Sequence, residues 1–264
     1  MKPLLHILAL VLFIQLLGCK TSKIPAMIGE YTPMVYSEQC KNETINYQIL
    51  FPKDFNNSKK YPLIVFLHGS GERGNDNKKQ LFHGATELRN AANLYGAIVV
   101  IPQCPESDYW SNVSRNESNG KTEFVFEKQK PTHIMEQLLH LIASLCKERY
   151  VDKNRLSIAG LSMGGMGTYE VLWRKPGLFK RAAVICGAGD TSKATLIAQT
   201  HEIKIYHGDN DDVVNDRHSR EMVEALNAVH ANVVMTIYPG VNHNSWDITF
   251  AKSSFTKFLF FVKE

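Results

Sequence analysis

Three short stretches hold the residues best suited to do chemistry. Gly160-Leu161-Ser162-Met163-Gly164 has the pattern G-x-S-x-G, after a short apolar run and ahead of a glycine-rich opening, Gly164-Gly165-Met166-Gly167. A tight strand-to-helix turn of this kind holds its serine in a strained, exposed conformation, and the small flanking residues let neighbouring backbone come close. A serine hydroxyl is a weak nucleophile until an imidazole accepts its proton. The imidazole in turn needs a carboxylate to fix its tautomer and stabilise its charge. Both groups are at hand in His207-Gly208-Asp209-Asn210-Asp211-Asp212-Val213-Val214 and in Tyr238-Pro239-Gly240-Val241-Asn242-His243, each following an apolar run. Among the ten histidines His243 stands out, because it comes last, in a loop ahead of a final amphipathic segment. The chemistry implied is nucleophilic attack on a carbonyl.

The carboxylate is not settled by spacing, since Asp209, Asp211, Asp212 and Asp216 crowd one loop and Asp190 ends the preceding run. The crowding is no calcium loop of the EF-hand type. Counted from Asp209, position six is Val214 where glycine is required, and position twelve is Arg220 where glutamate is required. No His/Cys grouping has zinc spacing. A fourth stretch, His68-Gly69-Ser70-Gly71-Glu72-Arg73-Gly74, follows another apolar run and can aim backbone N–H groups at a developing oxyanion. The expected donors are the N–H groups of Ser70 and Met163. The G-x-x-x-x-G-K-[ST] spacing of a phosphate cradle is absent, and His68 reads as a packed or hydrogen-bonded turn residue.

These residues need rigid elements behind them. Apolar runs at 45–51, 63–67, 97–101, 156–159, 182–186, 203–207 and 233–238 read as strands. Helical spacing over 134–145, 163–174, 219–230 and 247–262 supplies helices between them. The alternation predicts an α/β fold with a mostly parallel central sheet and helices on both faces, with its site at the carboxyl ends of the strands.

The N-terminus reads as an address. Lys2, a short apolar run over 4–17 and Gly18-Cys19 describe a secretory leader too short to span a bilayer. The expected division is a leader over 1–18, a tether over 19–30 and one domain over 31–264. Removal of Cys19 from the count leaves Cys40, Cys104, Cys146 and Cys186, which permit disulfides without indicating a pairing. The net charge of +4 comes from 30 basic and 26 acidic residues interspersed along the chain. Such mixing lacks the basic face that nucleic-acid binding requires.

Taken in order, these motifs resemble the α/β-hydrolase superfamily, in particular a secreted bacterial esterase branch. That branch includes dienelactone-hydrolase-like, polyhydroxybutyrate-depolymerase-like and feruloyl esterases, often labelled predicted peptidases. The resemblance rests on residues 61–74, Pro102-Gln103-Cys104-Pro105, residues 160–165, His207-Gly208 with Asp211, and His243 with Trp246. It implies the α/β-hydrolase fold and a serine esterase that forms an acyl-enzyme without metal or organic cofactor. Ser162 and His243 are then catalytic. The family pattern H-G-x-x-D-x-x-V puts the acid on Asp211, and the usual glycine before the histidine is Asn242 here. Leu16-Leu17-Gly18-Cys19 resembles a lipobox, which implies lipidation at Cys19 and an exported lipoprotein anchored in the outer membrane. A polar stretch over 105–131 carries Tyr109, Trp110, Phe124 and Phe126 where the superfamily inserts lid or acyl-pocket elements. Trp110 and Trp246 are therefore candidates for the substrate pocket, with loop packing the alternative for Trp110. Small-molecule or polysaccharide-linked esters are the expected substrates. A prolyl-oligopeptidase-like peptidase and a non-catalytic glycan-binding module are the rival readings.

Overall fold

A computed structural model of the chain describes residues 27–37, 44–118, 121–126 and 130–263. The expected leader over 1–18, Cys19 and Cys40 lie outside the described residues. Eight strands form one sheet: β1 (Tyr31–Ser37), β2 (Thr44–Leu50), β3 (Tyr61–Leu67), β4 (Ile98–Pro102), β7 (Val151–Leu161), β8 (Arg181–Ile185), β9 (Glu202–Gly208) and β10 (Val233–Tyr238). A separate hairpin pairs β5 (Val113–Ser118) with β6 (Lys121–Phe126). The spatial order is β1-β2-β4-β3-β7-β8-β9-β10. β1 and β2 pair antiparallel, as do β2 and β4, and every later pairing is parallel.

The apolar runs have the physical cause expected of them. All seven residues of β3 and all five of β4 are buried, so these strands are covered on both faces. One face carries α2 (His133–Leu145), α3 (Met163–Arg174), α4 (Ala194–Ile197) and α5 (Arg217–Ala228), which supply Leu138, Leu141, Tyr169, Leu172, Met222 and Leu226 to its core. The other carries α1 (Ala85–Tyr95), α6 (Ser245–Ala251) and α7 (Ser253–Leu259), with Leu88, Ala92, Phe250, Phe255 and Leu259 packed on the sheet.

Several elements depart from the sequence reading. β1 escapes it because an edge strand with Pro33 and half-exposed residues lacks a continuous apolar run. α1 escapes because alanines do much of its packing. The single terminal helix expected over 247–262 is two helices, broken where Lys252 is extended (φ −88°, ψ 119°). The break lets Phe250 and Phe255 meet in the core at 5.5 Å between ring centroids. The aromatic-bearing stretch over 105–131 contains the β5–β6 hairpin, whose Phe124 and Phe126 pack with Val113 and Tyr109 on Met166, Ala188 and Val214.

Candidate active site

β7 delivers Ser162 to the turn before α3. Its backbone sits at φ 51°, ψ −116°, a positive-φ conformation that an L-residue rarely adopts and that stores strain. Two hydrogen bonds hold it there: Ser162 N–H donates to the Ile185 carbonyl at 2.8 Å, and the Ser162 carbonyl accepts from Met166 N–H at 3.1 Å. The flanking glycines are required by contact. A Cβ at Gly160 would lie 2.1 Å from the Gly164 carbonyl oxygen, and one at Gly164 would lie 2.0 Å from that of Leu67.

The loops after β9 and β10 bring the other two groups to the serine. His243 Nε2 lies 2.9 Å from Ser162 Oγ, and its Nδ1 lies 2.7 Å from Asp211 Oδ2. Asp211 is buried and its carboxylate is fully used. Oδ1 accepts the N–H groups of Val213 and Val214, each at 2.9 Å. Oδ2 accepts from His243 and also from Nε2–H of buried His207 at 3.1 Å. Burial by itself would raise the Asp211 pKa. The bonds from His207 and His243, the charge of His243 and the Val214 N–H outweigh it, holding the carboxyl well below the usual carboxylate range.

The competing acids are engaged elsewhere. Asp209 accepts from Gly240 N–H at 2.6 Å, Asp216 pairs with Arg220 at 2.8 Å, and Asp190 caps the turn at Ser192 at 3.0 Å. Asp212 presents only its backbone N–H to the Asn242 side chain, at 3.3 Å. Of these acids, Asp211 is the one that meets the His243 ring. Asn242, in the glycine position of the family pattern, also accepts the His243 N–H at 2.7 Å.

His207 carries no signal of its own in the sequence beyond its place in the His-Gly pair. Its Nε2 faces two acceptors, Asp211 Oδ2 and the Val214 carbonyl at 2.7 Å, so that nitrogen must carry a proton. Its Nδ1 faces Ser219 Oγ at 2.7 Å.

The turn after β3 is built to present backbone donors. Neither the Ser70 N–H nor the Met163 N–H donates to a backbone carbonyl among the described residues, and Met163 opens α3, where amides lack intrahelical acceptors. His68 is the anchor of this turn, as the sequence suggested. Its Nδ1–H donates to the Gly69 carbonyl at 2.6 Å, and its Nε2 accepts Cys104 N–H at 3.0 Å. Burial, with Arg73 nearby, pushes its pKa down to about 4 against the pull of the Gly69 carbonyl, so the ring is neutral at pH 7.

Trp110 corrects one expectation. It is fully buried, its Nε1–H donates to the His68 carbonyl at 3.2 Å, and its ring packs edge-on to His68 at 5.4 Å. It also lies so close to α3 that a Cβ at Gly167 would approach its own Cβ to 2.5 Å. The indole supports the turn from behind and offers no face to a substrate. Next to it buried Glu170 accepts from Ser111 Oγ and Asn112 N–H and pairs with Arg174, tying residues 110–112 to α3, a role invisible in the sequence. Trp246, the second pocket candidate, is half-buried against the His243 ring at 5.4 Å.

Cys104, Cys146 and Cys186 are free thiols. Cys186, Asp211 and His243 form the one grouping of metal-capable side chains among the described residues, within 4.8 Å of one another. The four donors on Asp211 already occupy its lone pairs, so the grouping is arranged for hydrogen bonding. The arrangement as a whole can take a proton from Ser162, store it on His243 and hold a negative oxygen against two backbone amides.

Comparison with known proteins bears on the fold and the family. The structure is similar to that of a thermostable esterase, 33% identical with a TM-score of 0.76, over 88% of this chain and 63% of that one. It is also similar in fold to a ferulic acid esterase of the anaerobic fungus Anaeromyces mucronatus, 16% identical with a TM-score of 0.61, over 87% of this chain and 89% of that one. Dipeptidyl peptidase 4 of Trichophyton tonsurans is 29% identical over 154 residues, which are 56% of this chain and 18% of the peptidase. The chain thus spans less than a fifth of that curated relative and under two thirds of the thermostable esterase. The fold in all of this is the α/β-hydrolase fold, and the Esterase family model, described as "Putative esterase", matches residues 37–249, so the chain belongs to that family.

Proposed function

We propose that the protein hydrolyses carboxylic esters through an acyl-enzyme on Ser162. The observation that carries this is the continuous line Ser162 Oγ to His243 Nε2 at 2.9 Å and His243 Nδ1 to Asp211 at 2.7 Å, on a strained serine. As Ser162 Oγ bonds to the ester carbon, its proton passes to His243 Nε2, and the oxyanion accepts from the Ser70 and Met163 N–H groups. Collapse breaks the bond to the alcohol oxygen, which takes the proton from His243. Water repeats the cycle on the acyl-enzyme and releases the acid. Asp211 stays ionised, fixing the His243 tautomer and offsetting its transient charge.

Acetyl or feruloyl groups on plant polysaccharide are the substrate class favoured. The fold shared with ferulic acid esterases supports this reading. Similarity to dipeptidyl peptidases favours a peptidase as the second reading. Replacing Ser162 by alanine and assaying p-nitrophenyl acetate beside a prolyl-amide substrate separates them. Ester turnover that disappears with Ser162 supports the proposal, and undiminished turnover in a folded variant refutes it. The lipobox-like Leu16-Leu17-Gly18-Cys19 further supports an exported, lipid-anchored protein; palmitate labelling that survives Cys19→Ala would overturn that assignment.

A further inference from the structure

Beside His243 the molecule carries a line of rings that the proposed chemistry does not use. His243 meets Trp246 at 5.4 Å, Trp246 meets His83 at 5.2 Å, and His83 meets Phe82 at 4.8 Å between centroids. The line starts at the proposed active site and ends in solvent, for Phe82 is 79% exposed, a high value for a large apolar side chain. Phe82 and His83 also border a groove of about 240 Å³ whose other walls include Thr86, Glu87 and Asp247. His83 Nε2 lies 3.8 Å from Glu72, in the turn that bears Ser70. The groove therefore combines an exposed ring with carboxylate and hydroxyl acceptors, within three ring contacts of the imidazole.

Its position relative to the reaction fixes which half of the substrate it meets. His243 Nε2 must hand its proton to the departing alcohol oxygen, so the alcohol lies on the His243 side of the ester carbon. The ring contacts run from His243 through Trp246 to His83 at the groove, and on that link the groove is assigned to the same side. A wall of carboxylates repels an anionic chain and suits neutral hydroxyl donors, while an exposed ring suits the flat C–H face of a sugar. We propose that the groove bordered by Phe82, His83, Glu87 and Asp247 is an alcohol-side subsite that takes a sugar ring of a neutral glycan, an inference resting on the ester-hydrolase reading above. Phe82 supplies the stacking face, Glu87 and Asp247 accept sugar hydroxyls, and Trp246 packs between His83 and the His243 imidazole.

Two measurements test it separately from the reading on which it rests. The first is a fluorescence titration, through Trp246 and the other tryptophans, with xylohexaose and cellohexaose, which contain no ester. Saturable binding by the protein, weakened about fivefold or more by Phe82→Ala, is expected, the scale of one ring contact. No saturable change with either sugar, or equal affinity in the variant, overturns the subsite. The second is the ratio of kcat/KM for acetylated xylohexaose to that for ethyl acetate. The ratio is expected to fall about fivefold in Phe82→Ala through KM on the glycan ester. An unchanged ratio overturns the subsite while leaving ester hydrolysis standing. A protein that cleaves neither ester yet binds xylohexaose through Phe82 retains the subsite and loses the esterase assignment.

Discussion

Asp211→Asn is the substitution whose outcome the structure determines most tightly. It preserves shape, so its effect comes from which end of the amide points where. Oδ1 of Asp211 accepts two backbone N–H groups, from Val213 and Val214. An asparagine that aimed its NH2 at them would strand both, at about 1–3 kcal/mol for each buried donor. The amide oxygen therefore takes the Oδ1 place and the NH2 is forced onto the Oδ2 place, 2.7 Å from His243 Nδ1. His243 must then accept at Nδ1 and carry its proton on Nε2, facing Ser162 Oγ, with no lone pair left for the serine proton. Loss of the correct tautomer costs about 10⁴ in kcat in serine hydrolases with this relay. KM should barely move, because Asp211 is only 3% exposed and lies behind the imidazole. Steady-state hydrolysis of p-nitrophenyl acetate at pH 7.5, as an order-of-magnitude working pH above the usual His range, measures it. A folded Asp211→Asn protein with kcat within about tenfold of the parent would refute the reasoning. The same variant bears on stability. The depressed Asp211 pKa means its carboxylate stabilises the fold fully above the unfolded value of about 4, and that stabilisation is lost as pH falls through the folded value. The Tm advantage of the parent over Asp211→Asn should therefore be largest near neutrality and shrink in acid.

Trp110→Ala should cost about 3–5 kcal/mol in urea unfolding, as expected for a buried indole, and leave acyl chain-length preference in place; a changed preference at unchanged stability would return Trp110 to the pocket. Gly164→Ala should destabilise by about 3 kcal/mol or more and abolish ester turnover, because its Cβ would meet the Leu67 carbonyl at 2.0 Å; near-parental urea midpoint and turnover would count against the tight elbow. His68, held neutral with a pKa of about 4, binds fewer protons folded than unfolded between about pH 4 and 6.5. Its contribution is complete above about 6.5 and declines as pH falls toward the folded value. The destabilisation of the parent across that window should be weaker in His68→Gln, compared by thermal melts, and identical pH slopes would contradict it.

Much of the site was legible because its chemistry is local. A strained serine needs glycines within two residues, and parallel strands need continuous apolar runs, so Ser162 and its sheet are written in neighbouring positions. Elements that pack through small or half-exposed residues, such as β1 and α1, leave no such trace. Asp190, Asp209, Asp211 and Asp216 are alike in residue type; the resemblance points to Asp211, and the partners in space show how differently the four are held.

The sequence by itself therefore determined the fold class and singled out Ser162, His243 and a short choice of acids, since these follow from periodicity and from backbone constraints between adjacent residues. Tertiary structure alone decided the rest. It set two imidazoles on one carboxylate, turned Trp110 inward behind the His68 turn, and drew His83 and Trp246 into a line leading away from His243. Those arrangements depend on which loops meet at the carboxyl ends of β3, β7, β9 and β10. Hydrogen bonds and ring contacts between residues far apart in the chain act over a few ångströms, and only the packed sheet brings them within that range.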